Sequence, residues 1–354
     1  MTQRKGTGGQ RNTLCGSGEP LADRYDVALL DLDGVVYLGG SAIPGAVGAL
    51  AKAAAAGMRL AFVTNNASRT PSAIAAQLAG YGVPARAGDV ITSAHAAARL
   101  LAERLPAGAP VLVVGGMGLR AAVRERGLRP VTVASERPAA VVQGYAPDLS
   151  YSLLAEGGLA VAAGAWFVGT NGDITLPAPR GRQPGNGALC QVIATATGQR
   201  PQFAGKPEPP LHAEAVARSG AQRPLVVGDR LDTDIESATR AGDHSLLVLT
   251  GVTSPLDLLL APPRQRPSYL SEGLGGLLVP HPAVTEDSGR FRCGGWQAWW
   301  DGHGGGAGLV LDGAGARADG LRALAAAAWW DGRPGGGEPL PESAVRAALR
   351  TLGL

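Results

Sequence analysis

From Tyr25 onward the chain alternates short, continuous apolar runs with alanine-rich stretches of helical length, and this rhythm restricts its fold more than any other feature. The runs are Val27–Leu30, Arg59–Val63, Val111–Val114, Ala139–Val142, Trp166–Val168, Pro224–Val227 and Ser245–Leu249. Each is continuous and β-branched and is followed by Gly or a polar turn, as strands buried on both faces of a parallel sheet are. The stretches Ala42–Ala56, Ser72–Gly80, Ser93–Leu105 and Leu211–Arg218 hold few strand formers and read as helices. Strands alternating with helices predict an α/β fold with a doubly wound parallel sheet.

The length of 354 residues favours two or three domains, and 45% hydrophobic residues can fill a sizeable core. Net charge is +3, two units of which come from residues 1–24, so the remainder is nearly neutral and no nucleic-acid partner is expected. Cys15, Cys190 and Cys293 are odd in number and lack zinc or disulfide spacing, which fits a reducing, cytoplasmic setting. Apolar runs such as Ala323–Trp330 are far shorter than the roughly 20 residues that span a bilayer, so no membrane association is expected. No apolar segment follows Arg11 to make a signal sequence. A homo-oligomer is compatible with the chain.

Four segments place polar residues where apolar runs end, the position at which open α/β sheets bind ligands. They are Asp31-Leu-Asp33-Gly34-Val-Val-Tyr37, Thr64-Asn65-Asn66, Gly205-Lys206-Pro207 and Gly228-Asp229-Arg230-Leu-Asp232-Thr-Asp234. Asp31 and Asp33 are two apart and share one side of an extended backbone. Alone, such a pair reads first as loop or cap aspartates before a helix; functionally it supplies a nucleophile and an acid/base. Five acids (Asp31, Asp33, Asp229, Asp232, Asp234) are expected at one sheet edge with only Lys206 and Arg230 to offset them, which calls for a hard dication. Mg²⁺ suits a phosphoryl site better than a fully caged Ca²⁺. Thr64 and Asn65 lead from a strand into a helix, an anion-binding arrangement, and the Lys206 ammonium suits a phosphate oxygen.

The ordered set DxDGVxY, TNN, GKP and GDRxxTD resembles the four motifs of haloacid-dehalogenase-type phosphatases, in the NagD-like branch with phosphoglycolate and pyridoxal phosphate phosphatases. The resemblance runs from about Asp26 to Tyr269. The GDRLDTDI stretch, the middle of the chain and the long C-terminal extension further resemble actinobacterial glycerol 3-phosphate phosphatases. It implies a Rossmann-like core over 24–82 and 203–270 and a C2-type α/β cap over 83–202; residues 1–23, rich in Gly, Ser, Arg and Gln without apolar periodicity, read as a disordered tail or a misplaced start site, and 271–354 as an accessory region. It also implies roles: Asp31 as nucleophile, Asp33 as acid/base, and Thr64 and Lys206 on the phosphoryl oxygens. Mg²⁺ would be held by the Asp31 carboxylate, the Asp33 carbonyl and Asp229, with Asp234 steadying the shell. The substrate would be a small phosphorylated metabolite, glycerol 3-phosphate foremost, with 2-phosphoglycolate, pyridoxal phosphate or a sugar phosphate as alternatives. A non-catalytic phosphometabolite sensor is the rival from another class, and the intact acids weigh against it.

Within the expected cap, Asn171 and Asp173 of Thr170-Asn171-Gly172-Asp173, together with Asn65 and Asn66, are candidate substrate contacts, and Gly181–Gly187 reads as a flexible loop near the entrance. As ordinary turns these segments would carry no function. Gly116-Met117-Gly118-Leu119-Arg120-Ala121 follows an apolar run, and Glu136 lies further on, mimicking a dinucleotide fingerprint; a plain strand–turn–helix is the preferred reading. The five histidines are scattered without ligand spacing, and Cys190 reads as a packing residue. Beyond Tyr269 five of the six tryptophans accumulate and AWWD occurs twice, which reads as a small packed unit or a flap.

Overall fold

A computed structural model describes residues 14–178, 180–301, 308–333 and 340–354 of the chain. The chain divides into two compact units, residues 1–60 with 222–354, and residues 61–221.

In the first unit four parallel strands lie side by side in the order Tyr269–Ser271, His244–Val248, Pro224–Gly228, Val27–Leu30. Every residue of Val27–Leu30 and of Pro224–Gly228 is buried, as a sheet covered on both faces requires. Helix Ala46–Ala55 buries Ala46, Ala49, Leu50 and Ala53, the i, i+3, i+4, i+7 stripe of an amphipathic helix.

The C-terminal residues add a four-stranded antiparallel sheet, Thr285–Asp287, Arg290–Cys293, Trp296–Asp301 and Gly308–Gly313. Helices Arg317–Ala328 and Glu342–Arg350 follow. In Arg290–Cys293 only Phe291 and Cys293 are buried, the period-2 pattern of a strand with one face on a core. That core is continuous with the parallel-sheet layer: Leu231, Ile235, Leu247, Leu258 and Leu259 form one apolar cluster with Phe291, Leu311, Leu324 and Trp329. Trp329 donates Nε1–H to the Leu258 carbonyl (3.3 Å), and buried Arg322 donates to the Leu270 carbonyl (2.6 Å). The two AWWD copies are unlike: the first lies in strand Trp296–Asp301, the second where helix Arg317–Ala328 ends.

Residues 14–23, expected as part of a disordered tail, are packed onto the first unit. Leu14 is 3% exposed, the Cys15 N–H donates to the Ser268 carbonyl (2.7 Å), and Leu21 is fully buried in the short helix Leu21–Arg24. Composition misses this because isolated leucines fill slots without any periodic pattern; residues 1–13 lie outside the described residues.

In the second unit Arg59–Thr64 pairs in parallel with Val90–Thr92 through Phe62, Val63 and Thr64. A five-stranded parallel sheet runs Gln202–Phe203, Trp166–Gly169, Ala140–Gln143, Pro110–Val114, Arg129–Val131. After Pro110–Val114 the chain builds outward to Arg129–Val131, then returns to the other side for Ala140–Gln143. The order therefore reverses between Pro110–Val114 and Ala140–Gln143. Gly181–Pro184, expected as loop, is instead a strand paired antiparallel with Thr175–Ala178. Its turn-forming composition hid a two-stranded arm whose partner supplies the backbone bonds.

Helices Ser93–Ala102, Met117–Glu125 and Pro209–Ser219 pack together in this unit. Glu214, 1% exposed, receives hydrogen bonds from Arg99 (3.4 Å), Arg126 (2.5 Å) and Arg218 (2.5 Å). Burial alone would raise its pKa; the bonds from Arg218 and the charges of Arg126 and Arg218 overcome this and hold the carboxyl below its usual range.

Candidate active site

Strand Val27–Leu30 and strand Pro224–Gly228 are in register, Leu30 opposite Val227, so Asp31 and Asp229 leave the sheet side by side. The Asp31 N–H still donates to the Val227 carbonyl (2.9 Å), which holds the nucleophile candidate at the sheet edge. Asp234 joins them through a local widening of the helix that follows: both Asp234 N–H (3.1 Å) and Ile235 N–H (3.2 Å) reach the Arg230 carbonyl, giving a π-helical turn over Leu231–Ile235. One carboxylate oxygen from each of Asp31, Asp229 and Asp234 lies within 4.8 Å of the others. Asp229 and Asp234 are each 1% exposed.

The backbone around these acids is cut to fit them. A Cβ on Gly34, whose φ is +80°, would stand 2.5 Å from Asp229 Oδ2; one on Gly251 would stand 2.0 Å from the same atom, and one on Gly228 2.2 Å from Asp234 Cβ. Val252 N–H donates to Asp229 Oδ2 (2.7 Å), Arg230 N–H to Asp234 Oδ2 (3.2 Å), and Thr250 Oγ1–H to the Gly34 carbonyl (2.5 Å). Sequence reasoning missed the Thr250–Val252 loop, since a backbone N–H donor has no signature in residue type. Three clustered carboxylates, two of them dehydrated, repel one another unless a cation sits among them. An all-oxygen set with one exposed side fits a hard dication that keeps part of its water shell.

Asp232 does not join the cluster. It is turned outward onto Arg230, with bonds of 3.1 and 2.9 Å and a side chain 60% exposed. The π-helical turn decides this, because it points Asp234 inward while Asp232 faces solvent. Asp33 is solvent-accessible, yet burial of the surroundings pushes its carboxyl pKa up, against a hydrogen bond from the Tyr37 side chain.

The second unit gathers the other expected residues around Asn65. Its Oδ1 accepts from Lys206 N–H (2.8 Å), its Nδ2 donates to the Lys206 carbonyl (3.2 Å) and to Asp173 Oδ2 (3.2 Å), and its carbonyl accepts from Asn171 Nδ2 (2.8 Å) and Ser93 Oγ (2.6 Å). Three segments far apart in the sequence are thereby tied together. Lys206 is 7% exposed, follows Gly205 into a cis Lys206–Pro207 bond, and donates Nζ–H to the Val63 carbonyl (3.1 Å). Thr64 Oγ1 accepts from Asn66 N–H (3.1 Å), and Asn66 Oδ1 accepts from Ser68 N–H (2.9 Å), Ser68 Oγ (3.0 Å) and Arg69 N–H (3.3 Å). The amides of Asn65 and Asn66 are thus engaged in shaping the loop.

The Gly116–Ala121 motif is no dinucleotide cradle. Gly118 N–H donates to the Ser68 carbonyl (3.1 Å), a Cβ on Gly118 would stand 2.4 Å from the Arg69 carbonyl oxygen, and Glu136 pairs with Arg129 (2.5 Å). The place where a pyrophosphate would meet the helix is filled by backbone.

A family model described as haloacid dehalogenase-like hydrolase matches residues 28–129, and a HAD-hydrolase-like model matches 203–277. D-glycerol 3-phosphate phosphatase of Mycobacterium tuberculosis is 47% identical over 277 residues, 76% of this chain and 78% of that protein. The chain belongs to the haloacid dehalogenase-like hydrolases. 5'-nucleotidase YutF of Bacillus subtilis is 40% identical over 231 residues, 65% of this chain and 89% of that protein. The crystal structure of a glycerol phosphate phosphatase from M. tuberculosis in complex with magnesium superposes with a TM-score of 0.83 at 43% identity, covering 94% of this chain and 99% of that one. Beyond the hydrolase segments, a GCN5-related N-acetyltransferase-like model matches residues 293–354. Sequence reasoning expected a small packed unit or a flap there from the tryptophans; the alternation of polar and apolar residues in Arg290–Cys293 was the strand signal it passed over.

Proposed function

We propose that this chain is a Mg²⁺-dependent phosphatase that hydrolyses a small phosphate monoester, glycerol 3-phosphate foremost, through an aspartyl-phosphate on Asp31. The observation that carries the reading is the carboxylate cluster of Asp31, Asp229 and Asp234 at the tips of two paired parallel strands, with oxygens within 4.8 Å. The substrate assignment rests on the relative named for that activity, 47% identical over 277 residues.

Asp31, Asp229 and the Asp33 carbonyl would hold the metal, Asp234 would steady its shell, and the bound ion would supply positive charge against the phosphoryl oxygens. The chain's own groups do the rest. An Asp31 oxygen attacks phosphorus as the bond to the leaving oxygen breaks, and Asp33 donates its proton to the departing alkoxide. Asp33, now ionised, takes a proton from water, whose oxygen attacks the aspartyl-phosphate; phosphate leaves and the Asp31 carboxylate is restored. Splitting one displacement into two in this way is covalent catalysis. Thr64 and Lys206 take phosphoryl oxygens, and Asn65 positions Lys206. The Asn171 and Asp173 turn is the proposed contact for the alcohol portion of the substrate. Among the described residues no helix is long and apolar enough to cross a membrane, and Cys15, Cys190 and Cys293 are unpaired, which supports a reducing cytoplasmic setting.

Phosphate release from a panel of glycerol 3-phosphate, 2-phosphoglycolate, pyridoxal phosphate and sugar phosphates, with Mg²⁺ and beside Asp31→Asn, tests this. Turnover with wild type alone, highest on glycerol 3-phosphate, is expected. No release above the mutant would sink the enzyme assignment, and preference for another ester would replace only the substrate.

A further inference from the structure

Within the second unit, the turn Thr170–Asp173 is held from behind by Asn186. Strand Trp166–Gly169 ends beside strand Ala140–Gln143, and Thr170 N–H donates to the Gln143 carbonyl (2.8 Å). Asn186, the first residue of helix Asn186–Thr197 and 1% exposed, lies against that junction. Its Nδ2 donates to the Asn171 carbonyl (2.8 Å) and also faces the Gln143 carbonyl (3.4 Å), Thr170 Oγ1 (3.5 Å) and Cys190 Sγ (3.6 Å). Turning the amide over would set its oxygen against two carbonyls, so these neighbours fix Nδ2 as the end that meets the turn.

Two features mark a role beyond filling space. Asn186 Oδ1 is buried without a hydrogen-bond partner among the described residues, so the side chain is kept for its donor end while the other end stays unsatisfied. The neighbouring backbone is fitted to the same turn: Gly187 N–H donates to the Asp173 carbonyl (2.8 Å), and a Cβ on Gly187 would stand 2.3 Å from the Gly172 carbonyl oxygen. On its other side the turn meets Asn65, whose carbonyl accepts from Asn171 Nδ2 (2.8 Å) and whose Nδ2 donates to Asp173 Oδ2 (3.2 Å). Lys206 keeps two direct bonds to Asn65, so a shift of the turn moves Asp173 more than it moves Lys206.

We infer that Asn186 is a positioning residue that sets a preference for esters of hydroxyl-bearing alcohols: it fixes the Thr170–Asp173 turn so that Asp173, a half-buried acceptor-only group, meets a hydroxyl of the leaving alcohol. This assignment rests on the phosphatase reading for the ester, and on the Asn186 bonds alone for the positioning.

The test compares Asn186→Ala with Gln143→Met, whose lost amide is also buried, 0% exposed, but bonds nothing among the described residues. Amide hydrogen exchange of the full chain at Asp173, Gly185 and Gly187, whose N–H groups bond within this segment, should quicken about 10- to 100-fold in Asn186→Ala, the worth of a buried carbonyl left without its donor. Exchange at Val141 and Val142 in the adjoining strand should keep the wild-type rate. The ratio of kcat/KM for glycerol 3-phosphate to that for p-nitrophenyl phosphate, whose leaving group offers no further hydroxyl, should fall by about the same factor, mainly through KM. Asn186→Ser, which keeps a donor, should recover part of both effects, and Gln143→Met should match wild type. Unchanged exchange at the turn, exchange raised throughout the sheet or a failure to fold, or equal losses on the two esters would overturn the inference, as would a Gln143→Met as damaging as Asn186→Ala. A wild type inert on both esters would sink the phosphatase reading instead, and the exchange rates would still decide whether Asn186 holds the turn.

Discussion

A β-carbon on Gly34 would stand 2.5 Å from Asp229 Oδ2, closer than any side chain can approach. The φ of +80° at Gly34 adds a second reason for glycine, since an L-residue in the left-handed region costs about 1–2 kcal/mol. The DxDG motif is therefore one device: Gly34 clears the space that Asp229 fills.

Gly34→Ala should displace Asp229 and weaken metal use more than it weakens the fold. The expected effect is a roughly 10- to 100-fold rise in the Mg²⁺ concentration needed for half-maximal turnover. Metal dependence of phosphate release measures it; an unchanged midpoint would show that Asp229 tolerates the shift.

Asn65→Ala removes the acceptor of Lys206 N–H and the donor to Asp173, leaving buried groups unsatisfied at about 1–3 kcal/mol. Because the loss falls on the lysine turn, kcat/KM should drop about 10- to 100-fold while Asn66→Ala does far less. Equal effects of the two variants would refute the positioning role.

His95 supplies a pH dependence of stability. Burial, then the charge of Arg218, lowers its pKa to about 4 from 6.5, against the opposing pull of Glu125 and Glu214. Its Nδ1 accepts from Thr92 N–H (3.2 Å), so the folded ring is neutral, with Nε2 facing Glu125 at 3.7 Å. Between pH 6.5 and about 4 the unfolded chain binds the extra proton, so stability falls as pH drops through that window, by on the order of 3 kcal/mol. His95→Gln keeps the capping box and should flatten the slope. Urea midpoints at pH 7, 6, 5 and 4.5 for both proteins decide it; parallel curves would rule His95 out.

The C-terminal residues should melt with the parallel-sheet layer, because Leu324 and Trp329 share a cluster with Leu247 and Leu258. Leu324→Ala is expected to cost about 2–5 kcal/mol in one transition. A chain ending at residue 272 should aggregate, having bared Leu231, Ile235 and Leu259. A second calorimetric transition, or a soluble truncated chain, would instead mark an independent domain.

The strands were legible because a sheet covered on both faces imposes continuous apolar runs, and the observed Val27–Leu30, Pro110–Val114 and Pro224–Gly228 carry that imprint. Asp31 and Asp229 were legible for the same reason, since a polar residue that ends such a run stands at the sheet edge. Residue type could not say which acids converge. Asp232 and Asp234 are equivalent as letters, and a π-helical turn alone turns one outward onto Arg230 and the other inward onto Asp31 and Asp229. Nor could it show that Asn65 is a hub, that Gly118 abuts backbone, or that Leu14 and Trp329 close cores. Each depends on which distant segment arrives opposite, and that is set by packing of the whole chain. The sequence by itself determined the alternation of strand and helix and the chemistry at the strand tips; the tertiary structure decided which of those groups meet, because contacts between segments distant in the chain leave no local pattern to read.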